Sequence, residues 1–397
     1  MRVAHLTTVD TSLRYLLLPQ LLAVVAEGGV AIGISAPGDS VDHLAGLGIE
    51  HRPLASSTRS ADLRADLRAA AELWSVLRRE HFDVLHTHNP KPGLYGRVLG
   101  RLAGVPVVVH TTHGLYATTE DRWPKRLAVY LAEALAARFS HAELVQNPED
   151  LALMTRLHIL PRGRGVLLGN GIDLERFDPD RHGNARAVMR RRLGIGDDQL
   201  VVGTVGRLVA EKGHRELFEA MTLLDRHYQL VVVGPEDPEK ADALPAEVLD
   251  AARARGVRLL GMRSDVEELY AAMDIFVLAS HREGFPRAAM EAAAMGLPVV
   301  ATDIRGCREI VVDGDNGLLV RPRDPAALAA AIARLGPDAG LRARMGARGR
   351  ARARTDFDER QVVARVLDTY AQILQAGPSG RRRRARATPR GRSCGRG

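Results

Sequence analysis

Residues 280–320 read SHREGFPRAAMEAAAMGLPVVATDIRGCREIVVDGDNGLLV, and they follow directly on the apolar run DIFVLA at 274–279. A turn at Gly284, Phe285 and Pro286 leads into an apolar helix that ends at Gly296, with Pro298 just beyond. Glycine past the last helical turn and proline shortly after it form a helix stop signal. Further strands are expected at 298–302 and 318–320. Strand, turn, helix and strand in this order is the repeating unit of a parallel α/β sheet. Glu283 falls on the loop where the first strand ends, and Glu291 projects from the helix about one turn further in. Two carboxylates around a helix N-terminus, at the carboxyl edge of a sheet, are placed to grip the hydroxyls of a sugar nucleotide.

Working outward, the same alternation fills the chain. The first half shows strands at 2–6, 30–35, 83–87, 106–110, 142–146 and 165–168. Helices of period 3.6 lie between them, and Leu63, Leu67, Trp74 and Leu77 mark the apolar face of one. The second half repeats the pattern near 201–205, 229–233, 257–260, 274–278, 298–302 and 318–320. Strict alternation predicts parallel sheets covered by helices on both faces, in two doubly wound units that face each other across a cleft. The segment GNGIDLERFDP (169–179) breaks the alternation and sets the expected division into 1–168 and 169–357. A last amphipathic helix is expected at 358–376, with Val362, Val363, Val366, Leu367, Tyr370 and Leu374 on its apolar side. No GxGxxG follows the first strand, which disfavours a dinucleotide cofactor.

At 397 residues the chain is long enough for two domains, and 46% hydrophobic content supports two large cores. The net charge of +8 suggests nucleic acid at first sight. Residues 377–397, however, hold eight arginines and no acid; without them the 56 basic residues fall to 48, equal to the 48 acidic ones. The body is therefore neutral. The tail GPSGRRRRARATPRGRSCGRG should be disordered. It is either an electrostatic tether to anionic lipid or a solvated extension. Nucleic-acid binding is disfavoured because no aromatic residue is interleaved with the arginines. Cys307 and Cys394 are the two cysteines, too few for a disulfide framework and consistent with a reducing cytoplasm. Residues 15–34 are apolar, yet Pro19, Glu27 and Gly28-Gly29 divide them into a helix and a strand. Any membrane role is then peripheral.

The strand VVGTV (201–205) runs into GRLVAEKGHRELFEAM (206–221). Arg207 and Lys212 bracket the entry to the next helix, where two cations suit a diphosphate. A departing nucleoside diphosphate gathers negative charge, and cations fixed there stabilise it. Around the 284–287 turn, Gly284, Phe285 and Arg287 have backbone N–H groups to offer a donor, whereas Pro286 has none. Four histidines end two consecutive strands, as HTH at 86–88 and HTTH at 110–113. No carboxylate or cysteine is interleaved, so a metal site is not expected. The helix WPKRLAVYLAEALAARF (123–139) carries Arg122, Lys125 and Arg126 beside Trp123 and Leu127, a pattern open to a bilayer surface or to an ordinary sheet-covering role.

The EGFP phrase, a Glu eight residues after the first, then GLPVVATD, GCRE and NGLLV, resembles the donor-site signature of family 4 retaining glycosyltransferases. GRLVAEKG resembles that family's pyrophosphate motif. HTHNPKPGLYGRVLGRLAGVPVVVHTTHG (86–114), TTVDTSLRYLLLP (7–19) and QNPED (146–150) resemble the branch that builds capsular, exopolysaccharide and lipid-linked oligosaccharide chains. The resemblance implies the GT-B architecture, with the last helix crossing back onto the first domain. It also implies transfer from a nucleotide sugar to a lipid-linked or polysaccharide acceptor without a metal cofactor. By position, Arg207 and Lys212 would hold the pyrophosphate, Glu291 the ribose and Glu283 the sugar hydroxyls, while His113 would approach donor and acceptor. Met262 and Arg263 in LLGMRSDV (259–266) offer no guanine-reading carboxylate, which favours uridine. A GT-B-fold sugar-nucleotide epimerase, a transferase for small secondary metabolites and a non-catalytic sugar-nucleotide-binding subunit are the alternatives. One departure is Asp10-Thr11-Ser12, where the family often has a glycine in the loop after the first strand.

Overall fold

The computed structural model describes residues 1–384, apart from 61, 89, 118–120, 239 and 241, with side chains as far as 377. The tail expectation therefore lies largely outside the described residues. Where it can be compared it differs, since helical backbone runs over Glu359–Arg384 with a non-helical break at Gly377. The Gly377-Pro378 pair interrupts the helix, and the arginines that follow are good helix formers.

The first sheet has seven strands: β1 (Arg2–Val9), β2 (Val30–Ala36), β3 (Glu50–Pro53), β4 (Val84–His88), β5 (Val107–Thr112), β6 (Ala142–Val145) and β7 (Gly165–Leu167). The second has six: β8 (Leu200–Val205), β9 (Tyr228–Val233), β10 (Arg258–Leu259), β11 (Ile275–Leu278), β12 (Val299–Thr302) and β13 (Gly317–Val320). The orders are β3-β2-β1-β4-β5-β6-β7 and β10-β9-β8-β11-β12-β13. Every ladder is parallel. In each sheet the strand order reverses once, between β1 and β4 and between β8 and β11. Crevices at such switch points are where open α/β sheets bind ligands.

The edge strand β3 was not expected. Its EHRP sequence has no apolar run and is largely exposed, as a protected sheet edge requires. Helix Leu63–Arg79 also differs in detail. It buries Ala69, Leu73 and Leu77, while Leu63, Leu67 and Trp74 face solvent. The helix carries two apolar stripes, and only one fits the sheet. Between β8 and its helix the chain inserts a 3-10 turn, Ala210–Lys212, and then Gly213 with φ 69° before helix His214–Thr222. A Cβ at Gly213 would come within 1.9 Å of the Ala279 carbonyl oxygen. The glycine thus lets the segment after β8 lie against the end of β11.

The last helix crosses back as expected. Val362, Val366 and Tyr370 join the core of the first sheet with Val84, Val107 and Leu168, and Arg365 donates to the Leu168 carbonyl at 2.8 Å. The two chain crossings run side by side, with Ile172 N–H donating to Phe357 O at 2.9 Å.

Two backbones meet at the mouth between the sheets. A Cβ on Gly284 would lie 1.9 Å from His113 O, and one on Gly114 (φ 118°) would lie 2.7 Å from Gly284 Cα. Asn147 Nδ2 donates to Gly284 O at 3.2 Å and Asn170 Nδ2 to Phe285 O at 2.9 Å. Arg305, beside the second sheet, pairs with buried Asp150 of the first and donates to Leu115 O. Gly284→Ala should push this contact apart at a cost of roughly 1–3 kcal/mol. Small-angle scattering is expected to show a larger radius of gyration for the variant, and an unchanged radius with unchanged Tm would contradict the packing.

His5, His86, His88 and His110 are sealed in the first domain, and His113 lies half-buried beside them with its ring against His88. Burial lowers His5 to about 3, His113 to about 4, and His86, His88 and His110 well below the ordinary value of 6.5. An unfolded chain then binds more protons than the folded one below pH 6.5. Each such histidine makes stability fall as pH drops through that window, by up to about 1.4 kcal/mol per unit. The Tm should decline from pH 7 towards pH 4.5, while the ring resonances of His5 and His113 stay untitrated above pH 5.5. A ring midpoint near 6.5 for either would contradict their burial.

Candidate active site

The second switch point brings together the predicted donor residues. Lys212 closes the 3-10 turn after β8, and Glu283 lies on the loop after β11. Their side chains pair at 2.7 Å, both largely buried. The same Glu283 oxygen accepts from Ser280 Oγ at 2.7 Å, and Thr302 Oγ1 donates in turn to Ser280 O. The carboxylate is thus held at the mouth of the crevice by a cation and a hydroxyl. Arg207, just past β8, donates from Nη1 to Asp237 Oδ2 at 2.8 Å. Arg59 of the first domain approaches the same oxygen at 3.6 Å. Arg207 O is itself met by His214 Nε2 at 3.0 Å, which ties this loop to the helix that follows.

Helix Arg287–Ala294 follows Pro286, which stands at its N-cap in extended conformation, and buries Ala289, Met290, Ala292, Ala293 and Ala294. Glu291 is on the flank of this face. Its carboxylate accepts from the Tyr270 hydroxyl at 3.0 Å and has Arg287 Nε at 4.0 Å. Burial raises its pKa, and Arg287 and the Tyr270 hydrogen bond oppose the rise. A buried carboxylate with only partial compensation is ready to accept hydrogen bonds from a diol. Phe285 packs edge-on against Phe357 at 6.0 Å between ring centres. It anchors the turn that carries Gly284, and Arg287 also reaches Glu359 at 3.8 Å.

His113 belongs to the loop after β5 and faces this turn through its carbonyl, in contact with Gly284. Its Nε2 meets His88 Nδ1 at 3.1 Å. The structure therefore gathers Arg207, Lys212, Glu283, Gly284, Phe285, Arg287 and Glu291 along one edge of the second sheet, with His113 opposite. The other histidines take structural partners. His86 is bonded to the Tyr370 hydroxyl and to Thr111 Oγ1, and His110 to Thr87 Oγ1. Nitrogens of His5, His86 and His88 lie within 4.8 Å of one another, but the His86 and His88 nitrogens are already engaged in hydrogen bonds. Helix Asp10–Tyr15 follows β1 directly, and its buried first residue, Asp10, accepts from the N–H groups of Thr11 and Ser40 at 2.8 and 2.7 Å.

Sequence reasoning missed several members of the site. Tyr270 lies on the buried side of the short helix Val266–Ala272, between Leu269 and two alanines, and reads as core. Ser280 precedes the EGFP phrase with nothing to mark it. Asp237, Arg282 and Arg305 act through partners distant in sequence. Arg282, next to Glu283, donates to Tyr116 O at 2.9 Å and pairs with Asp121 at 3.0 Å across the cleft. Asn147 and Asp150 fall inside the QNPED stretch, whose spacing was the available signal.

Known proteins agree with this fold. The family model of group 1 glycosyl transferases matches residues 185–352, and that of the glycosyl transferase 4-like domain matches residues 20–171. The chain is similar to a UDP-Gal:alpha-D-GlcNAc-diphosphoundecaprenol alpha-1,3-galactosyltransferase of Escherichia coli, 30% identical over 80% of this chain and 82% of that one. It is 26% identical to N,N'-diacetylbacillosaminyl-diphospho-undecaprenol alpha-1,3-N-acetylgalactosaminyltransferase of Campylobacter jejuni, over 94% of this chain and all of that one. Among solved structures, HepE of Anabaena in complex with UDP and glucose superposes with a TM-score of 0.78 at 20% identity, covering 94% of this chain and 100% of that one. The lipopolysaccharide glycosyltransferase WaaG gives 0.74 at 20% identity, covering 93% and 99%. With two parallel α/β domains meeting at a shared crevice, this chain belongs to the GT-B glycosyltransferases, in the family of the group 1 glycosyl transferases.

Proposed function

We propose that this glycosyltransferase moves a hexose or N-acetylhexosamine, with retention, from a uridine-diphosphate sugar to a lipid-linked or polysaccharide acceptor of the cell surface. The observation that carries the reading is the buried Lys212–Glu283 pair at the second switch point. It sets a cation for phosphate beside a carboxylate for sugar hydroxyls. Lys212 and Arg207 take the diphosphate, Glu291 the ribose, Glu283 the transferred sugar, and the turn at Gly284, Phe285 and Arg287 offers backbone N–H groups. His113 lines the reaction centre. The similar proteins of E. coli and C. jejuni carry diphosphoundecaprenol acceptors in their names, which supports the acceptor class.

In the proposed step the acceptor hydroxyl oxygen attacks the anomeric carbon on the face from which the diphosphate leaves. The carbon–oxygen bond to phosphate breaks, and the hydroxyl proton passes to the departing phosphate oxygen. The positive side chains meet the charge that develops there. Because Arg207 and Lys212 supply that charge, the reading calls for no metal ion. No residue need act as a nucleophile of the kind retaining glycosidases use.

The membrane side of the reading rests on helix Trp123–Ala136. Trp123, Leu127, Leu131 and Leu135 recur every fourth residue at 71%, 49%, 60% and 65% exposure, with Arg122 and Lys125 beside them. No helix among the described residues is long and apolar enough to cross a membrane. An apolar ridge edged by cations suits an anionic bilayer surface, with the Arg-rich tail as a second attachment.

Glu283→Ala should reduce transfer to a diphosphate-linked lipid acceptor by at least about a hundredfold with the fold intact by circular dichroism. Turnover at the unsubstituted rate would refute its role. Leu127→Glu with Leu131→Glu should abolish sedimentation with phosphatidylglycerol vesicles in a chain ending at residue 376. Undiminished sedimentation would remove the helix from the membrane contact.

A further inference from the structure

Two cations from opposite domains share one carboxylate beside Glu283. Lys125 Nζ pairs with Asp121 Oδ1 at 2.6 Å, and Arg282 Nη2 pairs with Asp121 Oδ2 at 3.0 Å. Lys125 and Asp121 belong to the first domain, whereas Arg282 is the residue before Glu283 in the second. The half-exposed Tyr116 ring lies against both cations. Lys125 Nζ is 5.2 Å from its centre and the Arg282 guanidinium carbon 5.9 Å. Arg282 Nη1 also donates to Tyr116 O at 2.9 Å. Asp121 is largely buried, while 43% of the Lys125 side chain and 31% of the Arg282 side chain stay open to solvent.

One carboxylate does not neutralise two cations, so the trio keeps a net positive charge. The bonds named use one N–H of Lys125 and two of Arg282, and leave donors on both. The cleft has this arrangement twice. At the donor end Asp237 lies between Arg207 of the second domain and Arg59 of the first, and there the proposed ligand is the diphosphate of the donor. Phosphate oxygens take up N–H groups that a single carboxylate leaves unfilled, and arginine forks onto them in pairs.

Position separates the two arrangements. Lys125 stands in the first turn of helix Trp123–Ala136, which carries the ridge of Trp123, Leu127, Leu131 and Leu135. Arg282 adjoins Glu283, the residue proposed to take the transferred sugar. The trio thus joins the helix proposed to lie on the bilayer to the sugar end of the crevice. A lipid-linked acceptor has to run the same way, with its hydrocarbon at the ridge and its reacting hydroxyl at the donor sugar. The diphosphate between lipid and sugar then falls where Lys125 and Arg282 are.

We propose that Lys125 and Arg282 form a site for the diphosphate of the lipid-linked acceptor, beside the Tyr116 ring and separate from the donor diphosphate site at Arg207 and Lys212. Asp121 holds the two cations together from the inner side. The inference rests on the acceptor class proposed above. Bilayer headgroups carry the same phosphate chemistry, and the test separates the two sources.

The probe is geranyl diphosphate, a soluble prenyl diphosphate, titrated calorimetrically into the full chain saturated with UDP so that the donor site is filled. The unsubstituted chain should bind it and should not bind geraniol. Lys125→Ala and Arg282→Ala should each weaken geranyl diphosphate by at least about tenfold, the worth of a hydrogen bond to a charged group, with UDP affinity unchanged. If the unsubstituted chain does not bind geranyl diphosphate, the acceptor class itself is wrong and the site falls with it. If it binds and both variants bind equally well, the acceptor class stands and the site is elsewhere. A matching loss of UDP affinity in the Arg282 variant would mean that the trio only clamps the domains together. Arg282→Ala should also sediment with phosphatidylglycerol vesicles as the unsubstituted chain does. Loss of vesicle binding with geranyl diphosphate binding intact would assign the cations to headgroups and overturn the proposal.

Discussion

The contact of Gly284 with His113 and Gly114 is the constraint on which the rest of the site depends. Neither glycine has room for a methyl group, because the facing backbone occupies that position. The loop after β5 and the turn before helix Arg287–Ala294 can therefore meet main chain to main chain. The side chains around the contact then become intelligible. Asn147 and Asn170 bond the carbonyls of Gly284 and Phe285, so this turn does not bury unpaired backbone oxygens. Arg305 and Asp150 form a largely buried pair beside it. Such pairs add little net stability once desolvation is counted, but breaking one partner leaves a costly charge. Its contribution here is to register, since it favours a single seating of one domain on the other.

That seating gives the two carboxylates their separate chemistry. Glu283 is satisfied by Lys212 and Ser280 and remains at the cleft edge. Glu291 lies deeper against Tyr270, where burial raises its pKa and leaves Arg287 to offset the cost. They stand eight residues apart in sequence, and the environments differ because one lies on the loop after a strand and the other sits on a helix flank. Lys212 owes its place to Gly213, whose left-handed conformation folds the chain after β8 against Ala279 at the end of β11.

Much of this was legible in the sequence. The 280–320 stretch announces its turn, helix and strands through Gly284, Pro286, Gly296 and Pro298, each of which restricts the backbone locally. The placement of Arg207 and Lys212 was legible for the same reason, since they flank a strand end. What stayed hidden depends on partners far along the chain. Tyr270 looks like core until helix Val266–Ala272 is seen against Glu291. Arg59, Asp237 and Arg282 carry no local signal at all. Helix Leu63–Arg79 shows the limit of periodicity: it has two apolar stripes, and only packing against the sheet selects Ala69, Leu73 and Leu77. The edge strand β3 lacks apolar alternation because a sheet edge is safer without it.

The direct test of the donor site is calorimetric titration of UDP and a UDP-sugar into the protein and two variants. Lys212→Ala should weaken UDP itself by at least about tenfold, as loss of a charged phosphate contact of about 1.4 kcal/mol or more implies. Glu283→Gln should leave UDP affinity nearly unchanged and lose only the added affinity for the sugar. If UDP binds the Lys212 variant as tightly as the unsubstituted chain, the diphosphate is held elsewhere and this reading of the crevice is wrong.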